Sequence, residues 1–576
     1  MPNRIRDDLL IVDKESFPYI YEENVSIQLI DGLVRCNVYR PKSAGPFPVL
    51  VSYGPYGKDV PYDVFSPRSW VDMNPSQKSK HSAFETPDPR YWTENGYVVV
   101  RADEIGTGQS PGVLDTKSKT TADAFFQIIE WAAVQPWSTG KVGLLGISYF
   151  AGTQWRVAAR RPKGLACIVP YEGMADYYRD RCRPGGILAL EFLRKWFEHN
   201  IASNQYGPPG KAAESWGSDT IDGDLSEDEL RQNRRDQAVD NAAHQFRDKE
   251  YYASRDYNLE LINVPLLSVG NWGSICCHLR GNIQGFVLAQ STHKFLRMIV
   301  GRHDAPFYTD EELEVQKSFL SAFLKDDDYD GWTKGNKPPV DLILRKGNIG
   351  HANPDAPKLF KRRSENEWPI ARTQYTKYFL TPDKRLATEG PALGAKPHSI
   401  VSFPALGTHH LHTGHIVAHL NVSVTPHIAG PVPKDIDLFL TLRHFGADGE
   451  QIFYTGLMGD PAPLCKGWLR VSLRKINKEH PHHRDYLPHR DYFAGDVLPV
   501  IPGEVYPVYI EIWPTNVVVQ PGERIVLEVG SGDSQGCGFF THESEERTYD
   551  RLGGDNHIHL SERYENWLSL PLIPQT

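Results

Sequence analysis

Ser148 lies in a stretch whose residue types predict a reactive serine. Residues 142–147 form an apolar run typical of a buried strand, and residues 149–160 are compatible with a helix. No residues remain for a loop, so Ser148 must lie on the bend. Such a turn holds its side chain clear of the backbone, beside the free N–H groups of the helix N-terminus. A serine nucleophile requires this placement.

The motif around this serine is incomplete. A nucleophile turn of the usual kind reads Gly-x-Ser-x-Gly, but here Phe150 stands two residues past the serine and the next small residues are Ala151 and Gly152. The alternative interpretation is an ordinary helix N-cap, since serine is a favoured N-cap residue. The stretch alone favours neither interpretation, and the surrounding elements must decide.

Those elements predict a mostly parallel sheet covered by helices. Apolar runs bounded by Gly, Pro and polar residues read as buried strands at residues 47–53, 96–101, 165–170, 264–270 and 294–301. Between the second run and the serine strand, apolar residues recur at helical spacing: Ala122, Phe125, Phe126, Ile129 and Ala133. Alternating strands and helices are typical of an α/β core with helices on both faces of the sheet.

Other parts of the chain do not follow this alternation. Residues 166–258 are first aromatic-rich and helical and then strongly charged, which predicts a helical cap inserted into the core. The first part of the core then spans residues 1–165 and the second part residues 259–350. Residues 351–576 alternate strands with turns and predict a β-sandwich.

Several motifs give the chain a resemblance to a known family. They are Gly146-Ile-Ser-Tyr149, Thr153-Gln-Trp155, Gly54-Pro-Tyr-Gly57, Gln135-Pro-Trp-Ser138, Ile510-Glu-Ile-Trp-Pro-Thr515 and Pro521-Gly-Glu-Arg524. Over nearly its whole length the chain resembles the cocaine esterase and X-prolyl dipeptidyl peptidase family of acyl hydrolases, whose Gly-x-Ser-Tyr motif accounts for the incomplete turn. The resemblance implies an α/β-hydrolase core, an inserted helical cap and a C-terminal jelly roll.

A serine nucleophile also needs a base and donors for the oxyanion. In an α/β-hydrolase the histidine follows the last strands, and His303 directly follows the run 294–301. A structural or capping histidine is the alternative. The resemblance implies an oxyanion hole formed by the backbone N–H of Tyr149 and the hydroxyl of Tyr56. For Tyr56 the alternative is an aromatic side chain that merely wedges a turn.

Two departures from the family pattern concern charged residues. The family's Asp-x-Arg-Gly-x-Gly loop reads Asp103-Glu-Ile-Gly-Thr-Gly108, with Ile105 in the place of arginine. The family's Trp-x-Asp acid reads Trp272-Gly-Ser274. Ser274 cannot carry the negative charge that would stabilise an imidazolium.

Glu172 is the predicted substitute for the missing acid. It ends the strand that follows the serine strand, so it lies at the same carboxyl edge of the sheet and can reach a histidine at a neighbouring strand end. Asp304 adjoins His303 but would point away from its ring, and Asp176 lies a turn beyond Glu172. The predicted site is therefore Ser148, His303 and Glu172.

Two histidine clusters raise the question of a metal site. They comprise His409, His410, His412 and His415, and His480, His482, His483 and His489. Both lie in polar, turn-like sequence without a thiolate pattern, and we expect solvated loops rather than metal ligands. We expect no cofactor.

Composition excludes several classes of function. The chain has 576 residues, 40% hydrophobic and 23% charged, with a net charge of −9, so nucleic-acid binding is not expected. Seven cysteines show no disulfide or metal spacing. The N-terminus lacks a signal-like apolar segment and no run would span a membrane, so we expect a cytoplasmic protein.

The predicted function is serine-dependent hydrolysis of a small-molecule ester, or an amide, through an acyl-enzyme. Alternatives with the same triad are an X-prolyl-type peptidase, an acyltransferase and a carbon–carbon bond hydrolase. A further alternative is a degenerate hydrolase that acts as a binding protein. The sequence leaves the substrate open and is compatible with a homo-oligomer.

Overall fold

The protein is described by a computed structural model that covers residues 9–210, 223–383, 385–388, 401–402, 410–536 and 538–574. His409 and Cys537 lie outside these residues.

The N-terminal half is built on one mixed sheet. Its strands are β1 (Ile11–Asp13), β2 (Tyr19–Leu29), β3 (Gly32–Pro41), β4 (Phe47–Gly54), β5 (Val98–Asp103), β6 (Ser138–Ile147), β7 (Leu165–Tyr171), β8 (Leu266–Asn271), β9 (Lys294–Ile299), β10 (Val340–Ile343) and β11 (Arg362–Glu365). They are ordered β1-β2-β3-β5-β4-β6-β7-β8-β9-β10-β11. The run from β5 to β10 is parallel, while β1 to β3 and β11 pair antiparallel. The carboxyl ends of β6, β7, β8 and β9 therefore share one edge.

Helices cover both faces of this sheet because its central strands are apolar on both sides. The core helices are α1 (Tyr62–Phe65), α2 (Pro67–Asp72), α3 (Pro89–Glu94), α4 (Lys119–Ala133), α5 (Tyr149–Ala159), α10 (Leu279–Leu288), α11 (Asp310–Leu324) and α12 (Ala356–Leu359). Phe125 and Ile128 of α4 pack on one face, and Phe319 and Leu320 of α11 pack on the other. All six residues of β5 are buried, as expected for a central parallel strand.

Between β7 and β8 the chain forms a helical cap. It contains α6 (Leu190–Trp196), α7 (Glu227–Gln232), α8 (Gln237–Ala243) and α9 (Glu250–Ala253), with π-helical turns at Tyr177–Cys182 and Phe197–Ile201. Short 3₁₀ turns occur along the chain at Pro75–Gln77, Pro184–Gly186, Ala202–Asn204, Leu259–Leu261, Pro306–Tyr308, Val471–Leu473 and Ala494–Asp496. The cap begins after β7, so this strand belongs to the sheet although it lies beyond the predicted boundary at residue 165.

The C-terminal half is an antiparallel β domain. Its strands are β12 (Gln374–Leu380), β13 (Leu386–Ala387), β14 (Val401–Ser402), β15 (His410–Pro426), β16 (Asp437–Phe445), β17 (Gln451–Ile452), β18 (Tyr454–Thr455), β19 (Pro461–Ala462), β20 (Cys465–Arg470), β21 (Tyr506–Val519), β22 (Arg524–Gly530), β23 (Gly554–Ile558) and β24 (Trp567–Ile573), with one short helix, α13 (Tyr549–Leu552). Alternate residues of these strands form a separate apolar core.

The three parts of the chain are joined by partly buried ion pairs. Arg183 of the cap donates from Nη1 to Glu546 Oε2 of the β domain over 2.9 Å. Arg280 of α10 donates to Glu511 Oε1 of β21 over 2.7 Å and to Asp180 Oδ1 of the cap over 3.0 Å. Cap and β domain are thereby held over the carboxyl edge of the main sheet. The exact predicted domain boundaries stay predictions.

Two further findings concern cysteines and membranes. Five cysteines in the described part of the chain are buried free thiols, Cys36, Cys167, Cys182, Cys277 and Cys465, and Cys276 is buried as well. Among the helices the structure describes, none combines the length and apolar character needed to cross a membrane.

Candidate active site

Ser148 occupies the sharp turn between β6 and α5. Its backbone has φ 57° and ψ −110°, a conformation that is strained for a residue with a side chain. Its N–H donates to the carbonyl of Tyr171 over 3.0 Å, which ties the turn to the end of β7. Within the described structure its side chain caps no N–H of α5. The N-cap interpretation therefore does not describe this serine, and its hydroxyl is available for other contacts.

Phe150 replaces the second glycine of the usual turn because two other glycines make room for it. A Cβ atom on Gly54 would lie 2.6 Å from Cε1 of the Phe150 ring, and one on Gly146 would lie 2.6 Å from Phe150 Cβ. Neither position can carry a larger residue without moving the phenylalanine. The space needed at the turn is thus supplied by Gly54 and Gly146.

Glu172 and His303 are in direct contact. Glu172 follows β7, is fully buried, and places Oε2 2.9 Å from His303 Nδ1. Its other oxygen, Oε1, accepts from the side-chain amide of Asn271 over 3.0 Å, at the end of β8. The same amide nitrogen donates to the carbonyl of Gly301 over 2.9 Å. Asn271 therefore ties the carboxylate of Glu172 to the loop that carries His303.

The other carboxylates considered for this role point elsewhere. Asp304 accepts from the Tyr62 hydroxyl over 2.8 Å and from Arg302 over 3.2 Å. Asp176 pairs with the side chain of Arg179. Ser274 is buried, and its hydroxyl has no hydrogen-bond partner among the described residues. The contact to the His303 ring is made by Glu172.

A second carboxylate reaches the opposite nitrogen of the same ring. Glu85 Oε1 lies 3.1 Å from His303 Nε2, and the backbone of Glu85 is in the left-handed region at φ 61°. The Glu85 carbonyl accepts from the N–H of Ile147 over 3.2 Å, which fixes this loop residue against the end of β6. His303 thus bridges two buried carboxylates, Glu172 and Glu85.

This bridge shifts the titration of its members. Burial alone would lower the pKa of His303, but the negative charges and hydrogen bonds of Glu172 and Glu85 outweigh it and hold the pKa well above its ordinary value. Burial raises the pKa of Glu85 to about 7, although the hydrogen bond from His303 opposes this shift. The two contacts consequently favour the protonated form of the His303 imidazole.

A second histidine contacts Ser148. His278 Nε2 lies 3.4 Å from Ser148 Oγ, and the His278 and His303 rings stack with their centroids 5.1 Å apart and 5° between their planes. His278 is buried at the start of α10. Burial, followed by the nearby charge of His303, lowers its pKa well below the ordinary value. One histidine of the stacked pair is therefore charged and the other neutral.

Tyr56 and Tyr149 flank the serine. The Tyr56 hydroxyl accepts from Trp196 Nε1 of the cap over 3.0 Å and also hydrogen-bonds the Ser148 side chain, so it can donate its own proton beside the nucleophile. Burial raises the pKa of Tyr56 well above its ordinary value, and the phenol stays protonated. Tyr149 is the first residue of α5, where backbone N–H groups lack partners within the helix. Both groups are hydrogen-bond donors beside Ser148.

Contacts behind Tyr149 fix the start of α5. Its hydroxyl donates to Glu104 Oε1 over 2.9 Å and accepts from the Lys117 N–H over 2.9 Å. The Lys117 ammonium donates to the Tyr149 carbonyl over 3.2 Å and lies 3.8 Å from the centre of the ring. The backbone N–H of Tyr149 is held in place by both its chain neighbours and its side chain.

The prediction of solvated histidine loops is wrong for His412 and His415. Both are buried on β15, where a register shift at Gly414 places His415 against Trp368, whose Nε1 donates to it over 3.2 Å. Burial lowers the pKa of His415 to about 4. The strand was missed because histidines interrupt its apolar pattern.

The second cluster lies in a half-buried loop between β20 and β21. His480, His489 and Asp491 bring their ligand atoms within 4.8 Å of one another. The rings of His480 and His489 stack at 3.5 Å between centroids, and Arg179 lies 3.5 Å from His489 Nε2. Packed rings beside a guanidinium are typical of a structural contact, since a metal site requires imidazoles that converge on the ion.

Sequence reasoning missed three residues of this site. Asn271 ends β8 directly before the Trp272-Gly-Ser274 segment, and His278 lies four residues after it. The polar residue at the end of an apolar strand was the signal that could have indicated Asn271. Glu85 lies in a loop without periodicity, far along the chain from both Ser148 and His303. No pattern in the sequence indicates it.

Known proteins show the same organisation. Residues 31–304 match the model of X-Pro dipeptidyl-peptidases of the S15 family, and residues 331–569 match the model of the X-Pro dipeptidyl-peptidase C-terminal non-catalytic domain. The crystal structure of a CocE/NonD family hydrolase from Staphylococcus aureus is similar with a TM-score of 0.80 and 27% identity, covering 96% of this chain and 94% of that one. The predicted α/β-hydrolase core with helical cap and C-terminal jelly roll is confirmed.

Two relatives carry names that describe ester cleavage. A Mycobacterium bovis protein named as a serine esterase is 23% identical over 79% of this chain and 81% of its own length. Cocaine esterase from a Rhodococcus strain is 33% identical over 31% of this chain and 28% of its own length. Together with the two family models, which cover most of the chain, these similarities place the protein in one family. The chain belongs to the cocaine esterase and X-prolyl dipeptidyl-peptidase family and is a serine hydrolase.

Proposed function

We propose that this protein hydrolyses small-molecule esters through an acyl-enzyme on Ser148. The contact between Glu172 Oε2 and His303 Nδ1, 2.9 Å long, is the observation that carries the proposal. It supplies a buried carboxylate for the histidine from the strand next to the serine turn, although the acid expected after β8 is replaced by Ser274. With Glu172 in this role, the site has a nucleophile, a base and an orienting acid.

Acylation begins when His303 Nε2 takes the proton of Ser148 Oγ. Oγ then bonds to the ester carbonyl carbon, and the pair of electrons released from the C=O bond moves onto the carbonyl oxygen. The Tyr56 hydroxyl and the Tyr149 N–H donate to this oxyanion. His303 passes the proton to the leaving alcohol as the ester bond breaks, and water then repeats the sequence on the acyl-enzyme.

For this chemistry His303 Nε2 must give up its contact with Glu85 and contact Ser148 Oγ instead. Nε2 lies 3.1 Å from Glu85 Oε1, whereas Ser148 Oγ lies 3.4 Å from His278. The arrangement is thus a resting state in which the base is protonated and paired with a second carboxylate. When the Nε2 proton of His303 passes to solvent water, the contact with Glu85 loses its charged donor and Nε2 is free for the serine. The proposal therefore includes a deprotonation step before each acylation.

Pre-steady-state kinetics with an activated ester test this function. A p-nitrophenyl ester should give a burst of p-nitrophenol equal to the enzyme concentration, followed by slower turnover, and Ser148→Ala should abolish both phases. Folded Ser148→Ala that retains wild-type turnover would overturn the proposal. An amide with the same acyl group, assayed in parallel, separates an esterase from a peptidase, the activity named by the matched family models.

A further inference from the structure

His278 has no role in the proton transfers described above, yet its ring reaches the reacting oxygen. Its Nε2 lies 3.4 Å from Ser148 Oγ, and the residue is only 4% exposed. It stands at the start of α10 and is held there by the N–H of Asn282, which donates to its carbonyl over 3.1 Å. The position of the ring proton determines whether Nε2 donates a hydrogen bond to Ser148 Oγ or accepts one from it.

The backbone N–H of Met174, just after β7, determines which nitrogen of His278 carries the proton. The N–H of Met174 donates to His278 Nδ1 over 3.2 Å, and a ring nitrogen that accepts an amide proton carries none of its own. A neutral imidazole has one ring proton, which must then be on Nε2, the nitrogen that faces Ser148. His278 can therefore donate a hydrogen bond to Oγ but cannot accept its proton. The arrangement excludes His278 as the base.

The surroundings keep this ring neutral. Burial has the largest effect on its pKa, and the positive charges of His303, Arg181 and Lys117 add to it, so the pKa of His278 lies well below the ordinary value. The charged ring of His303 stacks in parallel at 5.1 Å. A second proton on His278 would place two positive imidazoles face to face, which both charge repulsion and desolvation oppose.

We infer that His278 is a catalytic residue that donates its Nε2–H to Ser148 Oγ, an inference that rests on the proposed function. When His303 removes the Oγ proton, negative charge grows on Oγ before the bond to the carbonyl carbon is complete, and the donor offsets that charge. In deacylation the C–Oγ bond breaks, its electron pair stays on Oγ, and the proton returns from His303. The same donor then stabilises the departing oxygen.

A matched pair of variants tests this donor. His278→Gln keeps an N–H donor at the position of Nε2, whereas His278→Met keeps the length of the side chain without a donor. Both remove the acceptor of the Met174 N–H, so they are matched for that loss. We expect kcat of His278→Gln to stay within about 3-fold of wild type and kcat of His278→Met to fall ~10²-fold, as for removal of a single catalytic donor. KM should change little in either variant.

Two further measurements complete the test: the pH profile of kcat, and the melting temperature, which shows whether each variant is folded. The rising limb of the profile should be the same in His278→Gln as in wild type, because His278 does not titrate. Equal kcat values for two folded variants, or a shifted limb in His278→Gln, would overturn the inference. Ser148→Ala distinguishes failure of this inference from failure of the proposed function. If Ser148→Ala is inactive and His278→Met is fully active, only the donor role of His278 is wrong. If Ser148→Ala is active, the serine mechanism itself is wrong.

Discussion

Glu85 Oε1 lies 3.1 Å from His303 Nε2, the imidazole nitrogen that a serine nucleophile needs. The other ring nitrogen is 2.9 Å from Glu172 Oε2. Two carboxylates on one imidazole favour its protonated form, and a protonated imidazole cannot act as a base. On the proposed mechanism this geometry is the resting state, and Glu85 sets how readily the enzyme leaves it.

Removal of the Glu85 charge should extend activity to lower pH. The proton on His303 is favoured by both carboxylates, so Glu85→Gln lowers the pKa of His303 and the rising limb of kcat/KM moves to lower pH. The measurement is a profile of kcat/KM from about pH 5 to about pH 9. Glu314→Gln, on the exposed side of α11, is the control and should leave the limb in place. An unshifted limb in Glu85→Gln would contradict the bridge.

Loss of the Glu172 charge should be far more costly than loss of the adjacent Asp304 charge. Glu172→Gln keeps the size of the side chain but removes the carboxylate that fixes the His303 tautomer, and kcat/KM should fall by ~10³- to 10⁴-fold. Asp304→Asn, whose carboxylate bonds Tyr62 and Arg302 instead, should keep most of the activity. The reverse order of the two effects would show that Glu172 is not the acid.

The Tyr56 hydroxyl should contribute to turnover rather than to substrate affinity. Tyr56→Phe removes one oxyanion donor and retains the buried ring, so kcat should fall by ~10²- to 10³-fold with little change in KM. Tyr62→Phe is the control, because the Tyr62 hydroxyl donates to Asp304. If the two variants have the same kcat, the oxyanion role of Tyr56 is wrong.

The close packing of Gly54 against Phe150 predicts a specific coupling in stability. A methyl group on Gly54 would lie 2.6 Å from Cε1 of the ring, so Gly54→Ala should cost ~1–3 kcal/mol. Phe150→Leu removes the ring and opens a cavity at its own cost. In the double variant the methyl group fills part of that cavity. The loss of stability in the double variant should therefore be smaller than the sum of the losses in the two single variants. Denaturant melts of all four proteins measure this; strict additivity would contradict the contact.

The ion pair of Arg183 and Glu546 should stabilise the contact between the cap and the β domain. Glu546 accepts from Arg183 over 2.9 Å and from Arg470 over 2.9 Å, and both arginines are fully buried. Glu546→Gln removes the carboxylate paired with Arg183, whereas Arg470 keeps its pair with Asp437. The buried charge of Arg183 is then uncompensated, which should destabilise the fold by ~3–5 kcal/mol. Asp123→Asn, which affects the surface pairs of Asp123 with Lys119 and Arg160, should cost about 1 kcal/mol or less. Equal losses in the two variants would contradict this role.

The same pair predicts a dependence of stability on pH. Burial would raise the pKa of Glu546, but hydrogen bonding and charge from Arg183 outweigh it and hold the pKa below the ordinary value of 4.5. A carboxyl whose pKa is depressed by folding stabilises the protein above its unfolded pKa, and this contribution is lost as the pH falls through the folded pKa. Glu546→Gln should therefore differ most from wild type near neutral pH and least in acid.

Local patterns were sufficient to predict the parts of the site that lie at strand ends. An apolar run that leads directly into a helix located Ser148, and chain order placed Glu172 and His303 at the same edge of the sheet. Glu85 could not be found in this way, because its position depends on a loop that folds back onto β6. His415 was misjudged because a bulge in β15, rather than the alternation of residues, buries its ring.

The most direct test of the central claim is reaction with a serine-directed phosphonate, followed by mapping of the adduct by mass spectrometry. The proposed mechanism predicts one phosphonate per chain, attached to Ser148, with labelling that is much slower in Glu172→Gln and absent in Ser148→Ala. Folded wild-type protein that remains unlabelled, or that carries the adduct on another residue, would contradict the assignment of Ser148 as the nucleophile.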